Sequence, residues 1–146
     1  MSSDGSTVIF RRAPAGLLRK TIHDFAHRLE REVAKGRTFD CLITGDRELR
    51  RLNHRFRGRD EATDVLSFPA GTDFLGDIAI SLARARAQGR QFGHGTADEV
   101  RILMLHGLLH LMGLDHESDG GRMARAEKRW RARLGLPAGL IERVRA

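Results

Sequence analysis

Cysteine is nearly absent from this chain: Cys41 is the only one in 146 residues, so no internal disulfide can form. Its setting, Phe39-Asp40-Cys41-Leu42-Ile43, predicts a small strand residue rather than a reactive thiol. No apolar run approaches the ~18 residues a membrane span requires, and the N-terminus has no h-region, which predicts a soluble, cytoplasmic protein with no membrane partner. No Pro/Ser/Gly-rich linker, internal repeat or low-complexity tract divides the sequence. A single domain over residues 1–146 is therefore expected, long enough to bury a core, with the polar residues 1–6 frayed or disordered. Acidic residues are also short, 19 Asp and Glu against 26 Lys and Arg, for a net charge of +7. That excess favours a polyanionic partner, nucleic acid above all. Charge alone does not carry the reading, because Lys and Arg also form plain solvated faces.

What is present carries more. Residues 106–116 read H-G-L-L-H-L-M-G-L-D-H. Side chains four apart share one face of a helix, so His106 and His110 can aim two imidazoles at one point. Gly113 follows the last apolar positions, where a left-handed residue would end the helix and bring His116 round as a third ligand. Three neutral imidazoles suit Zn²⁺ and leave a fourth position for water, the arrangement of catalytic zinc. Isolated histidines on apolar helices are usually satisfied core residues, but three in this register are not isolated. The same sequence holds a control: His23 and His27 are also four apart, yet they lie off the apolar stripe Leu18, Ile22, Phe25, Leu29, Val33 and no third ligand follows. Those two are expected to be solvated.

Around this motif the pattern predicts a strand at 7–11, an amphipathic helix at 17–35 closed by Gly36, and a strand at 38–44. A short helix should follow, N-capped by Asp46 and ending before Gly58. Residues 65–69 and 76–81 read as an antiparallel hairpin joined through 70–73, followed by a short helix at 82–88. Thr96 and Glu99 have the form of a capping box opening the histidine helix at 97–112. A last helix at 119–134 turns Met123, Ala126, Trp130 and Leu134 inward. Its other face carries Arg122, Arg125, Lys128, Arg129, Arg131 and Arg133, read as a solvated face that could hold phosphate. The fold class expected is α+β, a small mixed sheet packed against a buried histidine-bearing helix with a zincin-like metal site.

The register His106, His110, Gly113, His116 is shared with metzincin peptidases, whose general base is the Glu directly after the first His. Here that position is Gly107, which removes the acid–base partner an amide bond needs and leaves space beside the metal. Phosphodiester cleavage depends more on charge, which zinc with neutral ligands retains.

The histidine motif, together with R-G-R-D-E-A-T-D-V-L-S-F-P at 57–69 and L-G-D-I-A-I at 75–80, resembles the bacterial YbeY family of zinc-dependent endoribonucleases over residues 53–134. Before residue 53 the likeness is one of strand–helix–strand order alone. The resemblance implies single-strand-specific endoribonuclease activity on ribosomal RNA, notably 16S rRNA 3′-end maturation, and a role in ribosome quality control. Its partners would be single-stranded ribosomal RNA and the ribosome or small subunit. One Zn²⁺ would be held by His106, His110 and His116, which with Arg57 would be the catalytic residues. A guanidinium in a Gly-containing loop suits bidentate phosphate contact, which supports Arg57 on its own chemistry. Asp77 either orients a ligand histidine or ends a strand. Asp115 and Glu117 are the carboxylates nearest the third ligand, and no general base is assigned between them. The glycines around His94 and at 120–121 depart from the family pattern in local loop geometry. Two other readings stay open: a non-catalytic zinc protein that binds RNA or the ribosome, and a metalloprotease.

Overall fold

Alternating apolar residues in four short segments build one sheet whose two faces bury different partners. The computed structural model describes residues 5–12, 19–115 and 120–137. Along the chain run β1 (Thr7–Phe10), α1 (Arg19–Glu32), β2 (Thr38–Thr44), α2 (Asp46–Arg57), β3 (Val65–Pro69), β4 (Phe74–Ser81), α3 (Leu82–Phe92), α4 (Thr96–Leu111) and α5 (Arg122–Leu134). The strand order is β1-β2-β4-β3. The first three run parallel and β3 is antiparallel to β4, so the sheet is mixed and the expected hairpin is present.

Phe39, Cys41 and Ile43 alternate on β2 and share a face with Val8, Ile78 and Ile80 through the register Val8↔Cys41↔Ile78 and Ile43↔Ile80. That face forms the main core with α1, α3, α4 and α5. The opposite face is thinner: Leu66 and Ala79 pack under Leu49 of α2. Because α2 covers the β3–β4 side, Ile9 on β1 stays 54% exposed. Cys41 is buried in strand β2, and burial pushes its thiol pKa far up, so it is unreactive packing.

Helix α4 is buried almost all round because it lies on β3 and β4 and is flanked by α1, α3 and α5. Ile102, Leu103, Leu105 and Leu108 are fully enclosed, each contributing about 1.5–3 kcal/mol by leaving water. Its start differs from the expected capping box. Gly95 is the N-cap and Thr96 opens the helix. Glu99, completely buried, takes Nε2 of His94 at 2.7 Å, because an interior carboxylate needs a partner and the preceding turn supplies one. Likewise Gly45, not Asp46, caps α2; Asp46 accepts from Ser81 Oγ at 2.7 Å and so ties α2 to the end of β4. Among the described residues no helix is long and apolar enough to cross a membrane.

Candidate metal centre and nucleic-acid cleft

The centre begins with the last two turns of α4. His106 is buried and His110 half-buried, one turn apart, their rings edge-to-face with centroids 4.9 Å apart and planes at 73°. The helix then stops as the sequence predicts. Gly113 has φ +97°, its N–H bonds to the His110 carbonyl at 2.9 Å, and Leu114 N–H bonds to the Leu109 carbonyl at 3.1 Å. This Schellman-type ending satisfies two terminal carbonyls and redirects the chain. His116 and Glu117 lie outside the described residues. Among the described residues no three His, Cys, Asp or Glu side chains converge on a metal position.

Both histidines line a cleft of about 640 Å³ that also contains Arg57, Arg59, Asn53, Ser67 and Asp115. Arg57 is the last residue of α2, and Gly58 ends that helix with φ +70°, so Arg57 and Arg59 straddle a sharp turn at the rim of the cleft. Buried Asn53 steadies the turn: its Nδ2 donates to the Glu61 carbonyl at 3.0 Å, and its backbone carbonyl accepts from Arg59 N–H at 3.3 Å. Its Oδ1 is enclosed without a partner among the described residues. Asp60 is held outward by Arg50 at 2.8 Å, and that contact lowers the Asp60 pKa. The structure thus brings Arg57, His106 and His110 to one cavity and gives Asn53 and Arg59 a place there that the sequence pattern did not single out.

A second layer lies behind His106. Glu127 of α5 bonds Nδ1 of His106 through Oε1, while its Oε2 accepts from Arg131 Nη2 at 2.9 Å. Arg131 is 5% exposed, which corrects its assignment to a solvated face. Met123, Glu127 and Arg131 recur at four-residue intervals, so they follow one stripe of α5, the stripe that docks beside α4. The available signal was Glu127 itself, the single acid in a helix crowded with arginine, with Arg131 one turn on.

Two sequence readings change. Asp77 cannot orient a histidine of α4. Its neighbour Ile78 points at α4, so Asp77 points to the other face, level with Asp40 across the strands. Partial burial first, and the Asp40 charge second, raise its pKa. Gly107 leaves no open space. A Cβ there would stand 2.8 Å from Ile78 Cγ2 and 3.2 Å from Ser67 Oγ, and Ser67 Oγ donates to the Gly107 carbonyl at 2.9 Å. The glycine lets the helix settle directly on the sheet.

The residues present suit a metal ion. Glu127 occupies Nδ1 of His106, so any metal bound to that ring meets Nε2, and His110 lies one turn along the same cleft.

Known proteins resemble this chain over most of its length. A family profile described as Endoribonuclease YbeY matches residues 11–135. A protein from Solibacter usitatus named Endoribonuclease YbeY is 67% identical over 145 residues, covering 99% of each chain. One of the same name from Koribacter versatilis is 44% identical over 138 residues, 94% of this chain and 91% of that one. Among solved structures, a solution structure of a Thermotoga maritima protein superposes with a TM-score of 0.57 at 26% identity, covering 86% of this chain and 93% of the other.

Proposed function

The chain belongs to the YbeY endoribonuclease family, and from that premise we propose that it is a metal-dependent endoribonuclease that cuts single-stranded RNA in ribosomal RNA processing. The observation that carries the reading is the placement of His106 and His110 in the same cleft as Arg57 and Arg59. We further propose that one Zn²⁺ is held by His106, His110 and His116, and that the site matures the 3′ end of 16S rRNA and serves ribosome quality control in the cytoplasm, with the small ribosomal subunit as partner.

When bound, zinc supplies Lewis acidity, stabilising charge on phosphate oxygens and acidifying water. The chain's own residues do the rest. Arg57 and Arg59, exposed at the rim, suit the charged RNA backbone, and the fork of either guanidinium can grip two oxygens of one phosphate. Asn53, bonded to the Glu61 carbonyl, keeps the turn between them in shape. Glu61, Asp64 and Asp115 are carboxylates on the cleft, groups whose chemistry suits proton transfer. Position 107 packs against β3 and β4, so the carboxylate of the peptidase pattern has no counterpart.

The test is cleavage of a single-stranded RNA by protein of measured zinc content, beside His110→Ala purified identically. Cleavage by the parent alone, lost with chelator and restored by zinc, supports the reading. Fully zinc-loaded parent that binds RNA in a salt-sensitive manner but never cuts it, alone or with ribosomal subunits, would overturn it in favour of a binding protein.

A further inference from the structure

We propose that Glu127, secured by Arg131, is the positioning residue of the metal centre: it sets the tautomer and the orientation of the His106 ring. The inference rests on the reading of His106 as a metal ligand. It concerns residues of α5, a helix that contributes no group to the cleft wall.

Glu127 and Arg131 stand one turn apart, a spacing that on an exposed helix would make a weak surface ion pair. This pair faces inward instead. The Glu127 side chain is 13% exposed and that of Arg131 6%. Enclosing two charges carries a desolvation cost, and buried ion pairs are often no more stable than apolar pairs of similar volume. The geometry identifies what the charges are for. One carboxylate oxygen takes Arg131 Nη2, and the other reaches across to Nδ1 of His106, 21 residues away on α4. The guanidinium supplies a balancing charge and restrains the carboxylate, so the Glu127 rotamer is held from both ends.

An ionised carboxylate accepts hydrogen bonds and donates none, so in the neutral His106 ring, the form that binds a metal, Nδ1 carries the proton and Nε2 the lone pair. A neutral imidazole in free exchange between tautomers would present that lone pair only part of the time. The same contact fixes the ring about its χ2 axis, and a negative group at Nδ1 makes Nε2 a stronger donor to a cation. Glu127 therefore acts through His106 and needs no contact with RNA.

The experiment measures zinc affinity by chelator competition on the parent, Glu127→Ala, Glu127→Gln and Arg131→Met, with ¹⁵N NMR of the imidazoles in the metal-free proteins. Expected is a loss of affinity of about 10- to 100-fold in Glu127→Ala, the range typical of outer-layer partners of metal-bound histidine. Glu127→Gln, which keeps the shape and loses the charge, should also weaken binding; because it leaves the enclosed Arg131 without its counter-charge, it is paired with Glu127→Gln/Arg131→Met, which removes both charges and should weaken binding while holding near-parent thermal unfolding without metal. In the parent, His106 should be the Nδ1–H tautomer, and in Glu127→Ala a mixture. Parent-like affinity in both Glu127 variants, or weakened affinity with the His106 tautomer unchanged, would overturn the proposal. A parent that binds no zinc would instead remove the metal reading beneath it, so the two failures are told apart.

Discussion

Replacing Gly107 by alanine is the sharpest test of how the fold places the histidines. Two effects oppose each other. In a helix interior alanine is favoured over glycine by about 1 kcal/mol. Against this, the new methyl would lie 2.8 Å from Ile78 Cγ2 and 3.3 Å from Ile78 Cδ1. Ile78 is a β-branched residue, 1% exposed in the main core, and its χ1 has few alternatives. Forcing one methyl into such packing costs about 1–3 kcal/mol. Lifting α4 instead would stretch the Ser67 Oγ to Gly107 carbonyl bond of 2.9 Å, a contact of roughly 0.5–1.5 kcal/mol. The net expectation is a destabilisation of up to about 2 kcal/mol, or a Tm lowered by up to roughly 8 °C in a chain of this size. Thermal and denaturant unfolding of Gly107→Ala beside the parent measures it. The cause is checked by repeating the substitution on Ile78→Ala, which removes both contacting methyls: there alanine at 107 should be neutral or stabilising, and the cycle should show coupling of about 1–3 kcal/mol. No coupling between positions 107 and 78 in the cycle would refute the argument, showing that helix and sheet separate freely and that Gly107 is not required for their approach.

Other outcomes follow from the same geometry. Arg57→Ala should leave zinc content unchanged and reduce RNA cleavage by about 10- to 100-fold, the worth of a charge-assisted phosphate contact; loss of metal in that variant would assign Arg57 a structural role instead. Asp77→Asn should stabilise the protein at neutral pH. Burial and Asp40 raise the Asp77 pKa in the folded state, so its ionised form opposes folding above that raised value, and the variant's advantage should fade as pH falls through it towards the unfolded carboxylate value of about 3.9. Equal pH–stability curves for parent and variant would contradict this. His94→Ala withdraws a partner from the fully buried Glu99 and should cost about 1–3 kcal/mol in urea unfolding, with a marginal change speaking against the pair as a stabilising contact.

The placement of His106, His110 and Arg57 at helix ends was legible in the sequence because it is local. A spacing of four puts His106 and His110 on one helical face by the geometry of the helix alone, and Gly113 at the end of the apolar run takes the positive φ that terminates it. Gly58 does the same for α2 and thereby leaves Arg57 at a helix end. The hairpin of β3 and β4 followed from alternation and a short turn. The capping box did not survive, because Glu99 had a buried partner in His94 that outweighed the local contact. The Asp46 cap failed similarly, its carboxylate taken by Ser81 and Arg84 from the following strand and helix.

By itself, then, the sequence determined the short-range geometry: which residues share a helix face, where helices end and which strands form a hairpin. These depend on backbone periodicity and capping, which act over a few residues. The tertiary structure decided which faces meet. Alternation along β4 says that Ile78 and Asp77 point opposite ways, but only docking of α4 shows that Ile78 meets the helix and Asp77 looks away. The contact from Glu127 to His106 and the inward turn of Arg131 arise in the same manner, since an arginine-rich helix has several polar faces and its pattern does not say which one a neighbouring helix will bury. Contacts between elements depend on how whole layers pack to exclude water, and that choice is made by the chain as a whole.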